Sequence, residues 1–204
     1  MSDKAYTTEE KLEAYLNATI VAGSAADAIL AAQEYIDQFT ARNFKADSSA
    51  SIRLYNGNDT QALVIDDCVE VAKVEVGSNM WGDSFTEQVN TIGETPQYYE
   101  LPANHSADKV PIRKIGLRSM IFISGHANHR ITAKWGYSAT VPSDIVQAAT
   151  VLASGIYYQN RGQNTGAVNS EKIGEYQVSY ADDKGFNDLQ MAMDTIERYK
   201  KILL

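Results

Sequence analysis

His126 and His129 sit in the run GHANH, close enough in a turn to offer two imidazoles to one metal ion. A zinc-type site needs three or four protein donors. The nearest further candidates, His105 and Asp108, fall in a different loop, and the chain has neither an HExxH run nor a cysteine pair. We therefore read both histidines as polar turn residues and expect no metal. Cys68 follows Asp66 and Asp67. Adjacent carboxylates raise a thiol's pKa, the wrong direction for a nucleophile, so Cys68 reads as a packing residue. The pairs Asp66–Asp67 and Asp182–Asp183 resemble general acid–base pairs only in isolation. Neighbours on a strand point to opposite faces, and we expect both pairs in solvated turns. Gly155, Gly162 and Gly166 build no phosphate loop, and no GxSxG elbow occurs. No residue pattern supports an enzyme, and no cofactor is expected. A metal-dependent hydrolase using His126 and His129 is the remaining catalytic alternative.

The elements that hold these residues follow from periodicity. Thr7 or Thr8 caps a first short helix with Glu9 and Glu10 in its first turn, and Leu12, Tyr15 and Leu16 give it an apolar edge. Ser24 resembles the N-cap of a second helix over 25–43, striped by Ala25, Ala28, Ile29, Ala32, Ile36 and Phe39. From 47 to 137 the grammar is β. Strands are expected at 51–55, 62–65, 69–76, 98–101, 112–117, 120–124 and 130–135. Asn56-Gly57-Asn58-Asp59 is expected to turn the first into the second as a hairpin. The alternation over 69–76 is not clean, which points to burial on both sides or to a bulge. Residues 77–96 read as a long loop or loose hairpin whose Met80, Trp81 and Phe85 tuck onto the sheet, and 125–129 as a turn.

Pro142 and Asp144 open a helix over 143–159, striped by Ile145, Ala148, Ala149, Leu152 and Ile156, with Gly162 as its stop. It is the expected partner of the second helix. After a polar loop, 171–180 reads as an exposed strand. Residues 182–185 turn the chain into a last helix over 186–204, striped by Phe186, Leu189, Met193, Ile196, Tyr199 and Leu203. The fold class is α+β, a helical bundle with an inserted antiparallel β section of five to seven strands. Its parts are 1–46, N-terminal helices; 47–137, β section; and 138–204, C-terminal helices with an exposed strand near 173–180.

With 204 residues the chain is long enough to bury a sizeable core, roughly 70% of its unfolded surface. A single cysteine excludes an intramolecular disulfide framework and suits a reducing cytoplasm. No apolar run reaches the length of a membrane span, and the start MSDKAYTTEEK lacks the core of a signal peptide. The net charge of −8 argues against gripping nucleic acid through its phosphates. It suits either simple solubility or a channel wall that DNA passes without sticking. The twelve tyrosines include Tyr98, Tyr99, Tyr157, Tyr158, Tyr176 and Tyr180 in places read as exposed. Tyrosine joins an apolar body to a polar tip, which suits interfaces.

The joint at 131–162 carries a resemblance: a strand ending in WGY, then VPSDI, an alanine-rich helix and YYQNRG. It resembles the head–tail connector (adaptor, head-completion) proteins of tailed bacteriophages, most clearly over 131–180. The resemblance implies a structural subunit of the virion neck, assembled in the host cytoplasm. It implies a ring of copies, twelve as a rule, beneath the portal protein, meeting the next tail-side neck or stopper protein and continuing the DNA channel without specific DNA binding. It further implies that 173–180, with Ile173, Tyr176, Val178 and Tyr180, reaches a neighbour or the portal. The stripe of the last helix, Phe186, Leu189, Met193, Ile196 and Tyr199, joins Tyr157 and Tyr158 as further candidate contacts. Another tail-completion or neck-anchoring protein is the alternative.

Overall fold

The computed structural model describes residues 5–82, 84–90, 95–160, 171–173, 176–178 and 183–201, with side chains from 187 onward in the last stretch. Two compact units emerge. One comprises 1–42 with 141–204, the other 43–140. The fold is α+β, with helices toward both ends of the chain and a central antiparallel sheet.

The helical unit holds α1 (Glu9–Leu16), α2 (Ala26–Thr40), α4 (Ser143–Asn160) and α5 (Asp183–Arg198). Thr8 caps α1, its hydroxyl accepting from the Lys11 N–H. Thr7 is instead buried, its hydroxyl 2.6 Å from that of Thr150. Ser24 does not cap α2. The residue at the cap is Ala25, and Glu9 of α1 supplies the acceptor that a capping side chain would. Its carboxylate accepts from the N–H groups of Gly23 and Ala25 at 3.0 and 3.2 Å. Helix N-termini leave N–H groups unpaired and favour negative charge, so a carboxylate from another helix serves as well as a local hydroxyl.

The α2 stripe packs as its period dictates. Ala25, Ala28, Ile29 and Ala32 form a buried cluster with Leu12, Ile20, Ala153 and Tyr157. The small alanines let α2 and α4 lie close, and α4 also packs against α1 and α5. The expected stop at Gly162 lies outside the described residues. Helix α5 begins at Asp183, so 183–185 belong to its first turn and not to a turn before it. It ends at Arg198, and Tyr199 ties the end down: its hydroxyl donates to Asp144 at 2.9 Å, and its carbonyl accepts from Arg42 Nε.

The stretch read as one strand over 171–180 is two. Strands β7 (Glu171–Ile173) and β8 (Tyr176–Val178) fold back on each other as an antiparallel hairpin. The sequence between them is Gly174-Glu175, and glycine interrupts a strand's pattern.

The β unit contains β1 (Ser51–Gly57), β2 (Ala62–Gly77), β3 (Phe85–Gln88), β4 (Tyr98–Leu101), the four-residue α3 (His105–Asp108), β5 (Ile112–Leu117) and β6 (Gly125–Trp135). The sheet runs β1-β6-β2-β5-β4, with β3 alongside the far end of β2. Expectations from local pattern fail here in four places. The Asn56–Asp59 run does not close a hairpin, because β6 lies between β1 and β2. The Asn58 and Asp59 N–H groups donate instead to the Phe122 carbonyl. The segments 62–65 and 69–76 are one strand, and register shifts at Cys68/Glu70 and Val71/Lys73 against β6 account for its broken alternation. Residues 120–124 form no strand beyond a single bridge between Phe122 and Thr60. Residues 125–129 are not a turn but the start of β6.

One face of this sheet makes the core: Leu63, Ile65, Cys68, Val74, Val76, Ile112, Ile115, Leu117, Phe122, Ile131, Ala133 and Trp135 are all buried. The opposite face of β2 and β6 carries a ladder of charges. Lys134 meets Glu70 at 2.6 Å, Arg130 meets Glu75 at 2.9 Å, and Lys73 bridges Glu75 and Glu87, both at 3.1 Å. Arg130 also lies over the Phe85 ring at 3.8 Å.

Candidate interaction surfaces

The chemistry-bearing residues are all engaged in structure. His129 is fully buried on β6. Its Nδ1 accepts from the Gly77 N–H at 3.3 Å, and its Nε2 donates to the Ile123 carbonyl at 3.1 Å. Both ring nitrogens are therefore committed to backbone, in a neutral tautomer. Burial lowers the imidazole's pKa from its ordinary value. His105 sits 3.1 Å from Glu100. Among the described residues no group of three or more His, Cys, Asp or Glu side chains could hold a metal ion.

Cys68 is buried in the β core, and its thiol is pushed up to about 12, by burial first and then by Glu100 and Asp67. Asp66 and Asp67 lie within β2 and not in a turn. Asp67 is buried, while Asp66 takes Arg53 at 2.7 Å and the Tyr55 hydroxyl at 3.1 Å. Tyr55 is raised above the usual tyrosine range, chiefly by burial.

Beside His129, Asn128 is a residue that sequence reasoning missed. It is fully buried and makes three bonds to backbone. Its Oδ1 accepts from Gly57 N–H at 3.0 Å, and its Nδ2 donates to the carbonyls of Ile123 at 2.8 Å and Asn79 at 3.2 Å. The backbones crowd this knot. A Cβ on Gly57 would stand 1.8 Å from the Ile123 carbonyl oxygen, and one on Gly77 would stand 2.1 Å from that of Asn128. Together these bonds fix one end of the sheet, where residues 57, 77–80 and 121–129 meet.

That end carries exposed apolar side chains. Met80 and Trp81 are not tucked onto the sheet as expected; they are 58% and 76% exposed. Met120 and Ile121 are exposed as well. A second exposed apolar pair, Ile52 and Leu54, lies on the edge strand β1 at 59% and 56%. Their register partners on β6 are Thr132 and Arg130, so they stand on the charged face, while Arg53 and Tyr55 pair with Ile131 and His129 on the core face. No local signal marks Ile52 and Leu54 as exposed, because a strand's place at the edge depends on which strand pairs beside it.

The interface residues expected from sequence separate into three groups. Tyr157 and Ile196 are buried inside the helical unit, as is Tyr98 in the β unit, which corrects the reading of both tyrosines as exposed. Tyr158, Met193 and Tyr199 are half-buried, and the Tyr35 hydroxyl lies 3.8 Å from the Met193 sulfur. Leu189 is exposed on α5, as is its neighbour Met191. Ile173, Tyr176 and Val178 lie on the β7–β8 hairpin, and Phe186 lies in α5, with their side chains outside the described residues. Tyr180 lies outside them altogether.

No protein-family model matches the chain, and no curated protein is similar to it in sequence. Solved structures are similar in fold. A chain in the neck of an empty gene transfer agent particle, computed with C6 symmetry, superposes with a TM-score of 0.53 at 14% identity, over 92% of this chain and 82% of that one. A chain in the virion of a native gene transfer agent particle gives 0.50 at 17% identity, over 91% and 81%. The α+β fold of this chain is thus one that a chain in a particle neck also adopts, along nearly its whole length.

Proposed function

We propose that this chain is a structural subunit of the neck of a phage-like particle. In this reading, copies close into a ring beneath the portal protein, join the head to the next tail-side neck protein, and continue the channel through which DNA passes. Twelve copies fit the connector resemblance, and twelve is compatible with the six-fold symmetry under which the similar neck was computed. The observation that carries the reading is the likeness of fold over 92% of the chain to a chain of a particle neck. The net charge of −8 supports it, since an acidic channel wall does not hold DNA by its phosphates. The chemistry-bearing side chains support it too: His129, Cys68 and Asp66 are spent on backbone, core and strand pairing, and the reading assigns the protein no reaction.

Ring contacts are heterologous, one face meeting a different face of the neighbour. The exposed apolar side chains at 80–81 and 120–121, the β1 edge, the β7–β8 hairpin and exposed Leu189 are the surfaces available for such contacts. The test is electron microscopy of the full-length protein mixed with portal-bearing heads. A ring coaxial with the portal, with this chain fitted into it, is the expected result. Failure to bind heads, or absence of the chain from mature particles, overturns the proposal. Density for the chain elsewhere in the tail moves it to a tail-completion role.

A further inference from the structure

Strand β1 is a bare edge. Over residues 51–55 it pairs flush with 129–133 of β6, without a bulge, and among the described residues no strand covers its other side. Proteins blunt such edges with lysine, proline, bulges or a covering element, because open backbone groups beside apolar side chains recruit other strands. The run Ser51-Ile52-Arg53-Leu54-Tyr55 has none of these devices and exposes Ile52 and Leu54.

The β7–β8 hairpin has the complementary deficit. It is a sheet of two strands and three residue pairs, separate from the six-stranded sheet. A lone two-stranded hairpin is marginal in water and gains stability from a third strand. Its register places Ile173, Tyr176 and Val178 on one face, and Lys172 and Gln177 on the other. The alternation matches that of β1, where Ile52 and Leu54 share one face and Arg53 the other.

We propose that the β7–β8 hairpin of one copy adds to the β1 edge of the next, with β8 as the joining strand. Tyr176 and Val178 then lie beside Ile52 and Leu54, continuing one apolar face. Gln177 falls on the face of Arg53. Were β7 the joining strand, Lys172 would stand on that face, cation beside cation, which selects β8. Main-chain hydrogen bonds supply the affinity of such an addition, and the alternate side chains its selectivity. Donor and acceptor are different parts of one chain, so the contact is head-to-tail and propagates around a ring. The proposal deepens the neck-ring reading and rests on it for the identity of the partner, a second copy.

The test is residue-resolved amide hydrogen exchange on the full-length protein, with and without a synthetic peptide of residues 170–180, SEKIGEYQVSY. Saturating peptide is expected to slow the outward amides of 51–55 by about tenfold or more. The Ile52→Lys/Leu54→Lys protein should show no such slowing. These side chains are exposed, so its fold is expected to persist, and an unchanged exchange pattern across β2, β5 and β6 checks this. A peptide carrying Tyr176→Lys and Val178→Lys should be silent on the native protein. Unchanged exchange at 51–55 overturns the proposal, as does protection at β4 instead. Protection of 51–55 that grows with protein concentration, without peptide, and persists when 173–178 are replaced by Gly and Ser points to β1 pairing with β1 and also overturns it. Portal and heads are absent from this assay. A chain found in the particle neck with 51–55 unprotected would end this inference and leave the neck reading standing.

Discussion

Asn128→Ala tests whether the polar knot at the end of the sheet is what holds that end in place. The native side chain satisfies one backbone N–H and two backbone carbonyls at a site with no solvent access. Alanine leaves all three without that partner. A buried polar group deprived of its hydrogen bond costs about 1–3 kcal/mol, so even the low end, three times over, gives about 3 kcal/mol. For a chain of this length each kcal/mol moves the melting temperature by about 2–4 °C, so a fall of about 6–12 °C is expected. Thermal unfolding followed by circular dichroism measures this directly. Asn56→Ala is the control: its Oδ1 accepts from the Ala127 N–H at an exposed position, and its loss should cost less than about 1 kcal/mol. Asn128→Ala should also speed amide exchange at Gly57 and in 78–82, since the bond to the Asn79 carbonyl anchors that loop. An Asn128→Ala protein as stable as the Asn56→Ala control would refute the assignment, because it would mean that water or a shifted backbone replaces all three bonds at no cost.

His129 makes stability depend on pH. Its folded-state pKa lies below the ordinary 6.5 because burial disfavours the charged ring, so the unfolded chain binds the proton more readily. Its contribution is complete above about 6.5 and is lost as pH falls toward the folded value, at up to about 1.4 kcal/mol per pH unit. Urea unfolding from pH 7.5 to 5 should show this slope, and His129→Gln should flatten it; equal slopes in both proteins would remove His129 as the cause. Cys68, buried and with its thiol pushed up to about 12, should resist Ellman's reagent at pH 8 in the folded protein and react fully in denaturant. Rapid labelling of the native protein would show the strand β2 core to be open at that point.

The α+β class and the main helices were legible because their evidence is local. The stripes of α2 and α4 repeat every three or four residues, and a helix with such a stripe must bury it whatever it packs against. The uneven alternation of β2 was legible as a bulge, since an extra residue shifts the period wherever it occurs. Strand pairing was not local. Asn56-Gly57 has hairpin chemistry, yet β6, lying some seventy residues further along the chain, supplies the partner that β2 was expected to be. The same insertion makes β1 an edge and exposes Ile52 and Leu54. It also turns GHANH from a turn into a strand whose Asn128 and His129 are buried.

The amino-acid order determined which segments could be helix or strand, because φ/ψ preference and apolar period are properties of a few neighbouring residues. Only the tertiary structure decided which polar groups became buried and which apolar ones stayed outside. Glu9 rather than Ser24 caps α2, Tyr157 and Ile196 are spent in the helical core, and Trp81 is left in solvent. The physical reason is that burial belongs to a position in three dimensions. Residues distant in sequence create that position together, and no window of neighbouring residues contains it.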